Sequence, residues 1–243
     1  MISDLFLRTI TFVYNNYLRQ KSPGGCKLCY NGVLVNKERK PTDFLDIVHG
    51  GWKNHSHNPN YESAINRRLR QHVQHSDDVV VVGGGLGTST VTSARQTSDA
   101  GSVVTYEGSI EMVQNVRKSI SINGVSDIAE VNHAIVSKSI SLRGERGDAS
   151  VVKPESLPDC DVLELDCEGA EIDIIKNMRA NPRIIIVESH GMYDTSSKKV
   201  ANALNSAGYE ILSREIAENW APANEFCEKN GIDVLTAVDP EQI

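Results

Sequence analysis

The sequence has no apolar run of the length that a bilayer-spanning helix needs, about 20 residues, so we expect no transmembrane segment. Cysteine is scarce: there are five, an odd number scattered along the chain, and no signal-peptide pattern accompanies them. We therefore expect reduced thiols and a cytoplasmic location. Cys26 and Cys29 form a lone Cys-x-x-Cys with no second pair, which disfavours a zinc site.

Positive charge is also in short supply. The formal net charge is −7, and no basic, aromatic-rich stripe is present. This balance disfavours a nucleic acid that binds by bulk charge, although a locally basic cleft would escape the argument. The length of 243 residues suits one large α/β domain, or a core with an added subdomain.

The most informative stretch is a run of four valines followed by a glycine-rich turn. Val79–Val82 is typical of a strand buried on both faces of a parallel sheet. Gly83, Gly85 and Gly87 follow, and Thr88 begins a predicted helix. Such a turn presents bare main chain and helix-start amides to a ligand. A dinucleotide fingerprint would need glycine at position 88, so a nicotinamide-dependent oxidoreductase is disfavoured and an S-adenosylmethionine (SAM) turn is favoured.

Strands and helices alternate from residue 76 onward, which predicts a doubly wound, mainly parallel α/β sheet with helices on both faces. We assign residues 76–243 to this domain and residues 1–75 to an N-terminal cap of helix, hairpin and helix. The predicted strands lie near 79–82, 103–106, 128–131 with 134–136 extending or succeeding it, 161–165, 184–187, 209–212 and 234–238; the predicted helices span 91–97, 110–122, 171–178 and 196–207.

The cap and the last crossover carry weaker patterns. An amphipathic helix over residues 1–20 could form a homodimer contact, and Asn31-Gly32 predicts a hairpin turn within 26–35. A polar loop over 41–60 contains three histidines that we interpret as solvated, and a helix follows over 61–75. The segment between the last two strands is predicted to form a helix or a lid.

Ligands of such sheets bind at the carboxyl ends of the strands, where several acids are predicted. Glu107 ends the second strand, about twenty residues beyond the glycine turn, and suits the two ribose hydroxyls of a nucleoside. Asp166 ends the fourth strand, and Glu188 and His190 end the fifth. Glu168 and Glu171 could instead be ordinary acids at a helix N-terminus, where negative charge is favourable.

These blocks resemble a known family. Asp166-Cys167-Glu168-Gly169-Ala170-Glu171, followed by Val187-Glu188-Ser189-His190, is similar to the Asp-x-Glu-Gly-x-Glu and Glu-x-His blocks of FkbM-type methyltransferases. The resemblance covers roughly residues 76–212. It implies a class I methyltransferase fold, SAM as methyl donor, and methyl transfer to a hydroxyl oxygen of a sugar or natural product.

The resemblance also implies which residues bind SAM. The turn residues shape the pocket under the methionine half, Glu107 with its neighbours holds the ribose, the two residues after strand three lie at the adenine, and Asp166 lies nearest the sulfonium methyl. The implied set is Gly83, Gly85, Leu86, Gly87, Thr88, Glu107, Gly108, Ser109, His133, Ala134 and Asp166.

One position departs from the family. An acid usually stands two residues before the first glycine and helps to hold the methionine amino group, but this chain has Val81 there. Asp77 and Asp78 lie too early to replace it. This departure keeps a second hypothesis open, namely a catalytically silent SAM-fold binding or scaffold protein.

A hydroxyl acceptor is a poor nucleophile and needs its proton removed, for which Asp166, Glu168, Glu188 and His190 are the candidates. His190 could be the base, oriented by Glu188 or Asp166. Alternatively, Asp166, Glu188 and His190 could bind a divalent cation that lowers the pKa of the acceptor. We prefer the route without a metal. No block suited to flipped bases is present, which argues against nucleic-acid methylation.

Overall fold

The computed structural model describes residues 26–37, 57–137, 144–220 and 223–242. The strands are β1 (Cys26–Tyr30), β2 (Val33–Lys37), β3 (His57–Asn58), β4 (Asp78–Val82), β5 (Ser102–Glu107), β6 (Ala129–Val136), β7 (Ser150–Val152), β8 (Val162–Leu165), β9 (Ile184–His190), β10 (Glu210–Ile216) and β11 (Ile232–Val238). The helices are α1 (Ser63–His72), α2 (Thr88–Thr97), α3 (Ile110–Ile122), α4 (Glu171–Asn177), α5 (Ser197–Ser206) and α6 (Ala223–Asn230).

The central sheet has eight strands in the order β10-β11-β9-β8-β4-β5-β6-β7. Strands β4 to β9 run parallel, and β11 pairs antiparallel with both β9 and β10. The chain winds outward from β4 to β7 and then returns to β8 on the other side of β4. The strand order therefore reverses between β4 and β8, where the carboxyl ends of the two strands form a crevice suited to a ligand.

The valine run fills both faces of the sheet, as predicted. Val79 and Val81 belong to a core cluster that includes residues of α1, α2, α3 and β2. Val80 and Val82 belong to a second cluster with α4 and α5 on the opposite face. Because both faces are covered, β-branched residues in succession are favoured over an alternating pattern.

The β1–β2 hairpin packs on the domain through α3. Asn123 at the end of α3 exchanges two hydrogen bonds with Leu34: the Leu34 N–H donates to Oδ1 at 3.1 Å, and Nδ2 donates to the Leu34 carbonyl at 2.7 Å. Arg95 of α2 donates to the Gly32 carbonyl at 2.9 Å. The side-chain amide of Asn123 thus bonds to Leu34 as a neighbouring strand would. Together the contacts hold the hairpin at its turn and at its second strand.

Most predicted elements are confirmed, and several boundaries differ. The predicted third strand and its extension form the single strand β6, because β6 pairs with β5 along one side and with β7 along the other. The fifth strand continues past Glu188 to His190, because β11 pairs with it over its whole length. The final crossover contains the helix α6. The domain division at residue 76 stays a prediction.

Some predictions fall outside the described residues. The helix over 1–20 and most of the 41–60 loop do so, including His49, His55 and the side chain of His57. Within the described ranges, none of the helices combines the length and the apolar character that a membrane crossing requires.

We predict that Gly83→Ala lowers the free energy of unfolding by about 3 kcal/mol or more. A Cβ at Gly83 would lie 1.9 Å from the Asp166 carbonyl oxygen, and the φ of +104° is unfavourable for an L-residue. Gly124→Ala is the matched control, because Gly124 also has a positive φ, +70°, but its Cβ would meet nothing within 4 Å. We expect a loss of about 1 kcal/mol for the control. Urea unfolding followed by circular dichroism measures both, and equal losses would contradict the close-approach argument.

Candidate active site

The glycine turn lies at the reversal of strand order and is fixed by main-chain hydrogen bonds. The Gly83 N–H donates to the Tyr106 carbonyl at 2.9 Å, and the Asp166 N–H donates to the Val82 carbonyl at 2.9 Å. The beginning of α2 is held against α3, since a Cβ at Gly87 would lie 2.9 Å from the Ser119 Cβ. A Cβ at Gly85 would meet only a Glu62 carboxylate oxygen, at 3.8 Å, so this part of the turn has open space beside its half-buried main chain.

Glu107 ends β5 and faces this turn, as predicted. One carboxylate oxygen accepts from the Gly85 N–H at 2.9 Å, and the other accepts from the Ser109 N–H at 2.7 Å. Burial raises the pKa of Glu107, while these backbone N–H groups act in the opposite direction. Ser109 caps α3 by accepting from the Met112 N–H at 3.4 Å. Gly108 lies buried between them, so the three residues form one rigid corner.

His133 and Ala134 do not follow the third strand but lie inside it. They are part of β6, where Glu107 is the register partner of His133 and Ser150 is the register partner of Ala134. The ring of His133 points toward the segment that begins at residue 144, with Nδ1 3.3 Å from the exposed Asp148 carboxylate. His133 Nε2 is buried and has no hydrogen-bond partner among the described residues.

The acids and the imidazole at the ends of β8 and β9 form one cluster around His190. Its Nε2 lies 3.4 Å from Asp166 Oδ1 and 3.5 Å from Glu188 Oε1. Its Nδ1 lies 2.9 Å from Glu171 Oε1. The side chain of His190 is only 5% exposed, so these carboxylates replace the water it would otherwise contact.

Electrostatics favour the charged form of His190. Burial by itself would lower the pKa of this imidazole, but the hydrogen bonds to Glu171 and Glu188 and the charge of Asp166 outweigh it and raise the pKa to about 11. At neutral pH the ring is therefore an imidazolium that donates from both nitrogens. Burial and the nearby Asp166 raise the pKa of Glu188, which makes its carboxylate a better proton acceptor than an ordinary one.

The donor atoms of Asp166, Glu188 and His190 lie within 4.8 Å of one another. The structure thus brings together three of the four predicted catalytic side chains. Glu168 lies in the turn between β8 and α4, where its φ is +51°. The same three side chains are the donor set of the alternative that uses a divalent cation, since oxygen and imidazole ligands suit such ions.

Sequence reasoning missed the importance of Glu171. It is fully buried, and both of its oxygens accept from the Gly169 N–H at 3.0 Å while one also contacts His190. An acid at a helix start is common, so the sequence offered no reason to single out Glu171. Only the fold shows that α4 places its carboxylate against the imidazole of His190. Glu171 is the residue that orients His190 from the Nδ1 side.

Glu62 is a second missed residue, and it comes from the segment before the sheet. It precedes α1 in a left-handed conformation with φ 48° and ψ 44°. Such a conformation costs a non-glycine residue about 1–3 kcal/mol and is found most often at functional sites. The Thr88 hydroxyl donates to the Glu62 carboxylate, and the Glu62 N–H donates to Glu218 Oε1 at 2.7 Å. No local motif could have predicted this contact across 26 residues of sequence.

Comparison with solved structures agrees with this fold. The tRNA m1G37 methyltransferase of M. jannaschii superposes with a TM-score of 0.50 at 12% identity, over 75% of this chain and 48% of that one. A SAM-dependent O-methyltransferase of Thermotoga maritima gives a TM-score of 0.49 at 15% identity, over 80% of this chain and 70% of that one. The first of these similarities supports the predicted fold, which is that of the class I SAM-dependent methyltransferases.

Sequence comparison identifies the family. The model of the methyltransferase FkbM domain matches residues 35–211, which is more than half of the chain. The chain therefore belongs to the FkbM family of methyltransferases. The match begins in β2, well before residue 76, where we expected the resemblance to start. The ribosomal protein L11 methyltransferase of Exiguobacterium sp. is 24% identical over 152 residues, covering 63% of this chain and 44% of that protein, so this chain spans less than half of that relative.

We predict that Glu171→Gln lowers the pKa of His190 by about one unit or more, because a neutral amide stabilises an imidazolium less than a carboxylate does. Nuclear magnetic resonance titration of the ring C–H signals measures this pKa. Asp148→Asn is the control. Asp148 is 91% exposed and contacts His133, so the His190 titration should not change. An unchanged titration in Glu171→Gln would contradict the orienting role.

Proposed function

We propose that this protein transfers the methyl group of SAM to a hydroxyl oxygen of a small-molecule or glycan acceptor. The observation that carries the proposal is the cluster of Asp166, Glu188 and His190 directly beside the glycine turn. A cofactor pocket and a proton-accepting group then share one edge of the sheet. Methyl transfer is an in-line displacement that depends mainly on such proximity and alignment.

The residues at this edge fit the proposed cofactor. The open space beside Gly85 suits the methionine half, with Leu86 and Thr88 next to it, and Glu107 retains acceptor capacity for ribose hydroxyls. Gly108 and Ser109 lie beside Glu107 at the proposed ribose position, and the part of β6 at His133 and Ala134, level with Glu107 in the sheet, lies toward the proposed adenine position. When bound, SAM supplies an electrophilic methyl group on a cationic sulfur. Asp166, at the end of β8, is proposed to lie nearest that methyl.

The acceptor proton is proposed to pass to Glu188 or Asp166, without a metal. His190 is charged at neutral pH and so already carries the proton that a base would need to accept. Its role is then to hold the two carboxylates in place and to offset their charge. Glu188 is the better match for a base, because its pKa is raised to about 8, so that its carboxylate is a stronger base than an ordinary one once it is deprotonated, and its side chain is 14% exposed.

The remaining parts of the assignment are also proposals. The net charge of −7 supports an acceptor other than nucleic acid. Cytoplasmic location rests on cysteine usage, with which the free thiols of the described Cys29, Cys160, Cys167 and Cys227 are compatible. A homodimer through the first helix stays a prediction.

The second candidate function is a silent SAM-binding scaffold, which the missing acid at Val81 favours. Calorimetric SAM titration combined with a turnover assay separates the two functions.

We predict that Asp166→Asn or His190→Ala reduces methyl transfer by about 100-fold or more, because either change disrupts the proton-accepting cluster. SAM binding, measured by calorimetry, should persist in both variants. Glu215→Gln is the control, since Glu215 contacts Arg67 and Arg68 at the far edge of the sheet. Full turnover in both site variants would refute the catalytic assignment.

We further predict that exhaustive chelation leaves turnover within about twofold of the untreated enzyme, because the carboxylates can accept the proton themselves. The measurement is the initial rate before and after treatment with a chelator and gel filtration. A loss that added Mg²⁺ or Mn²⁺ reverses would show that Asp166, Glu188 and His190 work through a cation instead.

A further inference from the structure

Two carboxyl groups lie near Val81, the position at which members of the family usually have an acid. Val81 on β4 is the register partner of Glu164 on β8, and parallel partners project to the same face of the sheet. Glu62 reaches the same turn from the beginning of α1 through the Thr88 hydroxyl and the face of Gly85. Two carboxylates therefore flank the place where one acid would otherwise stand.

Glu164 is an uncompensated buried acid. It is 0% exposed, and neither carboxylate oxygen has a hydrogen-bond partner among the described residues. A buried polar group without a partner is unfavourable, so such a group points to a ligand or a counter-charge. Burial and the negative charges of Asp166, Glu62 and Glu188 hold the pKa of Glu164 well above its ordinary value.

Acids nearer the start of β4 do not meet this need. Asp77 lies at the opposite end of the strand, where its carboxylate pairs with Arg183. Asp78 accepts from the Ser102 hydroxyl at 2.6 Å, also at that end. The carboxyl groups near the glycine turn therefore come from β8 and from the residue before α1.

We propose that Glu62 binds the ammonium group of the methionine half of SAM. The proposal rests on the proposed function, since it assumes that SAM is the cofactor. An ammonium group donates three hydrogen bonds and is favoured next to carboxylates. Glu62 makes the direct contact because its carboxylate borders the open space beside Gly85, whereas Glu164 is fully buried.

The subsite also accounts for the conformation of Glu62. Its left-handed backbone is held by the bond from its N–H to Glu218 Oε1, and Trp220 Nε1 donates to the other Glu218 oxygen at 2.8 Å. This chain of contacts fixes where α1 begins, and with it the place of the carboxylate. Glu62 is thus preorganised before a ligand arrives, which favours binding.

The test compares two nucleosides by calorimetry. S-adenosylhomocysteine carries the ammonium group, whereas 5′-methylthioadenosine has the adenosine and the sulfur without it. We expect Glu62→Gln to weaken S-adenosylhomocysteine binding about tenfold, the effect of losing a hydrogen bond to a charged group. Binding of 5′-methylthioadenosine should change less than twofold in this variant.

Glu215→Gln removes a carboxylate next to α1 but away from the turn, and both affinities should stay unchanged. Equal weakening of the two nucleosides in Glu62→Gln would overturn the proposal, because it would indicate a structural role for the contact with Thr88. Unchanged binding of both would overturn it as well. If the unaltered protein binds neither nucleoside, the proposed function fails first, so the two failures are distinguishable.

Discussion

The close approach between the glycine turn and the end of β8 is the constraint on which the site depends. Gly83 lies so near the Asp166 carbonyl that no side chain fits between them, and the Asp166 N–H is bound to the Val82 carbonyl. The first residue after β4 thus lies directly against the first residue after β8. The strand order reverses at this contact, so the contact lies at the base of the crevice in which cofactor and acceptor would meet.

Much of the fold could be predicted because its determinants are local. Four consecutive valines, glycines at the turns, and Ser109 before an apolar stripe each specify a short element without reference to the rest of the chain. Boundaries shifted where pairing with a neighbouring strand decided them. The continuity of β6 and the extension of β9 to His190 depend on β7 and β11, which lie elsewhere in the sequence.

The candidate site was predictable in its residue types but not in its contacts. Strand-end acids and His190 were visible as a pattern, and Asp166 and Glu188 were expected beside the imidazole, whereas the partner of Nδ1 was not. Glu171 resembles any acid at a helix start, and its distinction is that α4 directs it inward to Nδ1. Glu62 carries no motif at all. Its importance follows from a backbone conformation and a tertiary contact, neither of which composition or periodicity encodes.

The attachment of the β1–β2 hairpin and α1 has a practical consequence for shortened versions of this protein. The sequence pattern suggests a cut at residue 76, but that cut would remove the amide partner of Asn123 and the carboxylate partner of Thr88. The C-terminal end of α3 and the beginning of α2 would each lose a contact from one deletion. Expressed fragments and chimeric proteins should therefore retain the chain from Cys26, where the hairpin begins, since the folded domain extends beyond the alternating strands and helices.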